Sequence, residues 1–255
     1  MSESESVILC EGYNDRDFWA GWLLHLGCTD PGDRPEEGQR VTVRDPWNGV
    51  VAKGQFGFHS ASGRFVRVQE CKGKSNVRRA ARSRLKVRML KKLDRLVLNV
   101  DSDVSVAAAG GAAPPVTAPA VETLLREFGE PQTTAEGDFA LDDGATLVSP
   151  VVWEAPDASG PGLPDQQTLE RLVCAAIVAA YPDRGPAVAQ WLVSRPQAPQ
   201  AGPKELGWSY MAGWYAERGC EGFYRAVWED PAVAAQLEDR LRKAGAWRVA
   251  EALTQ

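Results

Sequence analysis

The chain has few of the residues on which histidine- and cysteine-based chemistry depends. It contains two histidines among 255 residues, and its five cysteines include no C-x-x-C pair. A site built from several histidines, a Ser-His-Asp relay or a structural zinc site therefore has little material. An odd number of cysteines is typical of free thiols in a reducing compartment. We expect any catalysis to depend on carboxylates.

Long apolar segments are also lacking. No run approaches the roughly 18 uncharged apolar residues of a membrane span, and the N-terminus lacks the basic-then-apolar layout of a signal peptide. Lys72-Gly73-Lys74-Ser75 resembles half of a P-loop, but the upstream glycine at the required spacing is absent, which argues against ATP binding there. We expect a cytoplasmic protein that has no membrane partner.

Charge is strongly segregated along the chain. The formal net charge is -5, yet 11 of the 29 Lys and Arg residues lie between Lys72 and Arg95, where Asp94 is the one acid. This segment carries +10 and the rest of the chain -15. Apolar residues at helical spacing predict a basic amphipathic helix over residues 75–93. Because a solvated helix usually mixes both signs of charge, we predict that this one binds nucleic-acid phosphates. The candidate contact residues are Lys72, Lys74, Arg78, Arg79, Arg82 and Lys86.

Apolar strands alternate with amphipathic helices. Strands are predicted at 7–10, 96–100 and 146–153, and a turn at 60–63 indicates a hairpin. The alternation predicts an α/β fold in which a mainly parallel sheet is flanked by helices. Asp165 is predicted to N-cap the helix that follows it.

The predicted boundaries divide the chain into a catalytic domain, residues 1–180, and a helical C-terminal extension packed on it, residues 181–255. The first part should contain a β-hairpin insertion at about 36–72, which includes a strand at 41–43. It should also contain the basic helix and, at 104–120, a flexible loop rich in Ala, Gly and Pro.

Carboxylates follow two of the predicted strands. Glu11 and Asp15 span the turn after the first strand, and Asp101 and Asp103 follow the strand at 96–100. Functional residues of parallel sheets collect beyond the carboxyl ends of the strands, so we expect these four carboxylates to converge. Oxygen ligands select hard cations such as Mg²⁺ or Mn²⁺, and packed like charges are costly without one. The alternative for Glu11 and Asp15 is an ordinary interaction with the helix dipole.

The order of an apolar strand, E-G-x-x-D, a long gap, a second apolar strand and D-x-D resembles the Toprim domain of topoisomerases, primases, recombination proteins and OLD-type nucleases. The matching residues are Glu11, Gly12, Asp15, Asp101 and Asp103. Where the topoisomerase form has the third acid of D-x-D-x-D, this chain has Ser105, and it lacks the tyrosine-bearing and gate domains that strand passage requires. Topoisomerase activity is therefore not expected.

Residues 149–173 are similar to the segment of OLD-type and small Toprim proteins that adds a further metal-binding acid. Glu170 matches that acid, and the alternative is that it is a solvated helix residue. Those nucleases also tend to carry a lysine after this acid. Lys204 is the matching candidate here, and such a lysine would stabilise the developing charge on a phosphate.

The resemblance implies a metal-dependent nuclease, a hydrolase that cleaves phosphodiester bonds of nucleic acid and favours DNA over RNA. A pair of Mg²⁺ or Mn²⁺ ions would be held by Glu11, Asp15, Asp101, Asp103 and Glu170. Family roles lie in phage defence or DNA processing, often beside an ATPase, so a separate ATPase partner or a homo-oligomer is compatible with this reading. Two alternatives stay open. One is a primase-like nucleotidyltransferase, and the other is a non-catalytic nucleic-acid or protein-binding module.

Overall fold

The computed structural model describes residues 4–29, 55–106, 118–194, 202–219 and 222–255. The strand predicted at 41–43 and the middle of the loop predicted at 104–120 lie outside these residues, so both stay predictions. No helix in the described part of the chain is long and apolar enough to cross a membrane.

A seven-stranded sheet with flanking helices confirms the predicted α/β class. The strands are β1 (Glu5–Cys10), β2 (Gln55–His59), β3 (Phe65–Glu70), β4 (Leu93–Asp101), β5 (Gln132–Thr133), β6 (Phe139–Leu141) and β7 (Thr146–Trp153). The helices are α1 (Tyr13–His25), α2 (Lys74–Lys86), α3 (Arg88–Lys91), α4 (Ala118–Leu125), α5 (Leu169–Ala180), α6 (Arg184–Ser194), α7 (Pro203–Met211), α8 (Phe223–Ala226), α9 (Pro231–Lys243) and α10 (Ala246–Thr254).

The sheet order is β2-β3-β1-β4-β7-β6-β5. The interior strand β1 is parallel to both of its neighbours, β3 and β4. In contrast, β2 is antiparallel to β3, and β6 is antiparallel to β5 and β7. All six residues of β1 are buried, which explains why a parallel strand covered on both faces has an almost continuous apolar sequence. The predicted hairpin is present as β2 and β3, and it joins the main sheet because β3 pairs with β1.

The chain divides into two compact units. The first contains the described residues of Met1–Val100, Pro115–Val151 and Arg248–Gln255, and therefore nearly all of the sheet and most of α10. The second contains those of Asp101–Pro114 and Val152–Trp247, where α5 packs against α6, α7 and α9. The boundary that we placed near residue 180 falls inside the second unit, at the end of α5.

The basic segment forms two helices where one was predicted over residues 75–93. α2 ends at Lys86, the next residue Val87 has φ and ψ of -110° and 10°, and the four-residue α3 follows. Lys92 then adopts a left-handed conformation with φ 47°. The prediction of one continuous helix was wrong because Leu93 already begins β4, so the chain has to turn before that residue.

Candidate metal centre

Glu11 lies in the turn between β1 and α1, and Asp15 lies in the first turn of α1, so the two residues span the start of this helix as the sequence predicts. The backbone N–H of Gly12 donates to Oδ2 of Asp15 at 2.9 Å, so Asp15 caps the first turn of α1. Asp15 is 5% exposed and Glu11 is half-buried. The capping bond orients one carboxylate oxygen of Asp15 at the carboxyl end of β1.

Three hydrogen bonds fix the chain around this strand end. Cys71 N–H donates to the Cys10 carbonyl at 2.8 Å, and Gly73 N–H donates to the Glu11 carbonyl at 2.8 Å. Indole Nε1 of Trp19, on α1, donates to Oδ1 of the buried Asn99 on β4 at 3.0 Å. The basic helix α2 therefore starts beside the backbone of Glu11, and α1 is joined to β4.

Asn99 was not among the candidate residues. Its amide Nδ2 also donates to the Val151 carbonyl of β7 at 3.3 Å, so one side chain connects α1, β4 and β7. In the register of β1 and β4 it lies opposite Cys10, the residue before Glu11. The sequence did contain a signal for Asn99, which is the one amide in the apolar run Leu96-Val97-Leu98-Asn99-Val100. Because a buried amide needs hydrogen-bond partners, its position indicates a role in joining neighbouring elements.

The surroundings of β1's end contain ionised groups of both signs. Arg16 forms ion pairs with Asp17 at 3.3 Å and with Glu70 at 3.4 Å, and its guanidinium carbon lies 4.2 Å from the ring centroid of Phe56. Burial raises the pKa of the Cys10 thiol well above its usual value, and the negative charge of Asp15 raises it further. Cys10 is therefore a neutral core thiol and not a reactive one.

Asp101 and Asp103 belong to the second unit, where they contact the segment before α5. Leu169 N–H, the first of α5, donates to Oδ1 of Asp101 at 2.8 Å. Asp103 N–H donates to the Gln167 carbonyl at 2.9 Å, and Gln167 N–H donates back to Val104 at 2.9 Å. Asp103 itself is exposed and has a positive φ of 57°. The acids after β4 are thus joined to residues more than 60 positions later in the chain.

Glu170 lies in the first turn of α5 and is only 4% exposed. A methyl group built on Gly207 of α7 would lie 3.0 Å from Cγ of Glu170, so glycine permits this close approach. The alternative of a solvated helix acid is wrong for Glu170. Lys204 is exposed on α7 one turn before Gly207, so it lies on the helix that packs against Glu170.

Asp165 does not cap α5, contrary to the sequence prediction. The N-cap is Thr168, whose hydroxyl accepts from Arg171 N–H at 3.4 Å. Asp165 instead accepts a hydrogen bond from the hydroxyl of Ser105. The prediction failed because residues 165–167 pair with residues 104–106, which uses the backbone groups that a longer helix would need.

The candidate phosphate-binding residues occupy α2 and the turn before it. Lys72, Arg78, Arg79 and Lys86 are exposed, and Lys74 is half-buried. Arg82 forms a forked ion pair with Glu127, with donor-acceptor distances of 2.6, 2.9 and 3.2 Å. This contact lowers the pKa of the Glu127 carboxyl, to which nearby Arg78 and Lys86 also contribute. One cation of the predicted surface is therefore already paired with an acid.

The donor set is suited to a hard cation, since the candidate ligands are all carboxylates and two of them have one oxygen oriented by a backbone N–H. Within residues 4–29, 55–106, 118–194, 202–219 and 222–255, however, no group of three or more His, Cys, Asp or Glu side chains is arranged to hold a metal ion. The metal centre therefore stays a prediction.

Comparisons with known proteins show the fold alone. No family model matches the chain, and no curated protein matches it. It is similar in structure to a hypothetical protein from Pyrococcus horikoshii OT3, with a TM-score of 0.66 and 15% sequence identity over 99% of this chain and 100% of that one. The likeness extends over both units and supports the α/β architecture with its helical C-terminal region.

Proposed function

We propose that this protein is a metal-dependent nuclease that hydrolyses phosphodiester bonds of nucleic acid, with DNA favoured over RNA. The observation that carries the proposal is the position of Glu170. This acid is buried in the first turn of α5, and the first N–H of the same helix donates to Asp101, so one candidate ligand belongs to this helix start and another contacts it. Carboxylates placed close together are costly unless a cation neutralises them, and a bound metal would do so.

In this proposal a pair of Mg²⁺ or Mn²⁺ ions is held by Glu11, Asp15, Asp101, Asp103 and Glu170. Such ions, when bound, lower the pKa of a coordinated water and neutralise charge on the leaving oxygen. The chain's own contribution is orientation, because the N–H groups of Gly12 and Leu169 each fix one ligand oxygen. Lys204 would balance the negative charge of the phosphate during cleavage.

The wider role follows from the resemblance to Toprim nucleases and is part of the same proposal. We propose a cytoplasmic enzyme of phage defence or DNA processing that acts beside a separate ATPase or as a homo-oligomer. The parallel arrangement of β1 and β4 supports the resemblance, since E-G-x-x-D follows β1 and D-x-D begins at the last residue of β4.

The test is cleavage of plasmid, linear duplex, single-stranded DNA and RNA in Mg²⁺ or Mn²⁺, with EDTA as the metal-free control. Asp101→Asn and Glu11→Gln should each lower the rate by about 100-fold or more, the scale expected when a group that stabilises the transition state is lost. Asp239→Asn is the matched control, because this acid pairs with Lys243 on α9 and lies outside both the proposed ligand set and the basic segment.

Equal cutting by the wild type and both ligand variants would contradict the proposal. Nucleotide incorporation on a single-stranded template without hydrolysis would favour the primase-like alternative. A cellular phenotype that survives Asp101→Ala would favour the non-catalytic binding module.

A further inference from the structure

Exposed aliphatic side chains interrupt the basic segment at α3. Met89 is 65% exposed, Leu90 is 78% exposed, and Val87 at the preceding turn is 38% exposed. Between Lys72 and Lys92 the sequence has ten Lys and Arg residues and no acid. Exposure of neighbouring apolar side chains to water is unfavourable, and an exposed apolar patch surrounded by charged residues is typical of a binding surface.

Arg88 holds this patch in place. Its guanidinium donates to both carboxylate oxygens of Asp142, at 2.6 and 2.9 Å, to the Phe128 carbonyl at 3.0 Å and to the Leu85 carbonyl at 2.9 Å. The contact lowers the pKa of the Asp142 carboxyl, so the pair stays ionised at neutral pH. Arg88 therefore anchors α3 to neighbouring residues, while Met89 and Leu90 of the same helix remain exposed to solvent.

The charges around the patch define its ligand. Lys86 and Arg79 are exposed on the preceding helix, so the ligand should carry negative charge, while Met89 and Leu90 require apolar surface. A single strand of nucleic acid offers phosphates and open base faces along the same short segment. In a duplex the base faces are stacked, and exposing one costs on the order of a few kcal/mol per step, a cost that a single strand does not carry.

We infer that α3 is a base-contacting element for single-stranded nucleic acid, in which Met89 and Leu90 pack on base faces while Lys86 contacts the phosphates. The inference rests on the proposed function, because it specifies the strandedness of the substrate. α2 connects the two regions: its first turn lies beside the backbone of Glu11, and its 13 residues span about 20 Å before α3. A strand bound at α3 could thus follow the exposed cations of α2 toward Glu11.

Fluorescence anisotropy in EDTA tests this inference separately from cleavage. The probes are a labelled single-stranded oligonucleotide, an abasic strand of equal length that keeps only the sugar-phosphate backbone, and the matching duplex. The wild type should bind the base-bearing strand about tenfold more tightly than the abasic strand. The double substitution Met89→Ser and Leu90→Ser should remove this preference and leave binding of the abasic strand unchanged within about twofold.

Val193→Ser is the matched control, since Val193 is 87% exposed on α6 in the other unit. It should bind all three probes like the wild type, and thermal unfolding should confirm that every variant is folded. An unchanged preference in the double variant, or no preference in the wild type, would overturn the inference. Binding to vesicles of phosphatidylglycerol that is lost in the double variant, with oligonucleotide binding unchanged, would assign the patch to lipid and overturn it as well.

Failure of the nuclease proposal would look different. Base-dependent binding by a wild-type protein that cleaves no substrate in Mg²⁺ or Mn²⁺ would contradict the nuclease and leave the role of α3 intact. Metal-dependent cleavage by a protein with no base-dependent binding would do the reverse.

Discussion

Asp138 and Glu170 are both buried acids, 3% and 4% exposed, but their surroundings differ sharply. Asp138, in the first unit, accepts hydrogen bonds from Arg95 at 2.7 Å and from Arg248 at 2.7 and 3.1 Å. Glu170, in the second unit, follows Leu169, whose N–H donates to another carboxylate, Asp101. Asp138 joins two arginines, whereas Glu170 lies in a helical turn whose first N–H donates to a second acid.

This difference predicts which acid stabilises the fold and which belongs to the proposed metal centre. The two arginines compensate the burial of Asp138, as expected for an ionised group that serves structure. Two carboxylates at one helix start gain from the helix dipole but repel each other, and in the proposed function a bound cation would offset this repulsion. The comparison predicts opposite responses when each acid is neutralised.

Asp138→Asn should have the largest effect on stability. The substitution keeps the size of the side chain but leaves two arginines facing a neutral amide, one of them the buried Arg95. Breaking a buried pair in this way costs about 3–5 kcal/mol of unfolding free energy, measured by urea denaturation at neutral pH. Asp142→Asn, which breaks the less buried pair with Arg88, should cost only about 1 kcal/mol.

Asp138→Asn should also change how the free energy of unfolding depends on pH at acidic pH. Burial raises the pKa of Asp138, but hydrogen bonds from Arg248 and Arg95 outweigh it and leave the pKa below its usual value. An acid with a lowered folded-state pKa stabilises the protein above its unfolded pKa, about 3.9, and this contribution is lost as pH falls through the folded pKa. Asp138→Asn should therefore lose stability less steeply below about pH 4 than the wild type. An equally steep loss of stability would show that Asp138 is not the titrating group.

Glu170→Gln should behave in the opposite way. Neutralising an acid near Asp101 should leave the metal-free protein as stable as the wild type or slightly more stable, as is common at functional sites. In the wild type, Mg²⁺ at 100 times its dissociation constant should add about 2.7 kcal/mol, and Glu170→Gln should reduce this gain. The measurement is the melting temperature in EDTA and across a Mg²⁺ titration.

Glu130→Gln is the control for this comparison, since it removes the same charge from a side chain that is 76% exposed. A Mg²⁺-induced rise in melting temperature that is as large in Glu170→Gln as in the wild type would exclude Glu170 from the metal centre. A strongly destabilised metal-free variant would place Glu170 in the same class as Asp138.

The sequence could predict elements whose signal is local. β7 was predicted at its observed bounds, Thr146–Trp153, and β1 and β4 were located because buried strands have continuous apolar sequences. The turn between β1 and α1 was also predicted, with Glu11 in it and Asp15 just after it. These features depend on residues within a few positions of one another.

The sequence could not predict contacts between distant residues. Asp138 meets its arginines across 43 and 110 positions, and Asp101 reaches Leu169 across 68, separations at which local pattern carries no information. The same limit explains the wrong cap at Asp165, where pairing with residues 104–106 outweighs the capping preference of aspartate. The arginine partner of Glu127 was missed for this reason too, which affects how α2 should bind nucleic acid.

Glu127 is a third kind of acid, exposed and paired with a cation, and its removal should have the smallest effect. Glu127→Gln breaks the ion pair with Arg82, and since both side chains are exposed, thermal unfolding should barely change. Arg82 would then be available to a phosphate. If α2 contacts the nucleic-acid backbone, the slope of log affinity against log salt should steepen by about 1. Glu122→Gln, which breaks the pair between Glu122 on α4 and Arg126 just after it, should leave the slope unchanged. Equal slopes in both variants and the wild type would remove Arg82 from the phosphate-binding surface and leave α2 a solvated helix whose charge Glu127 offsets.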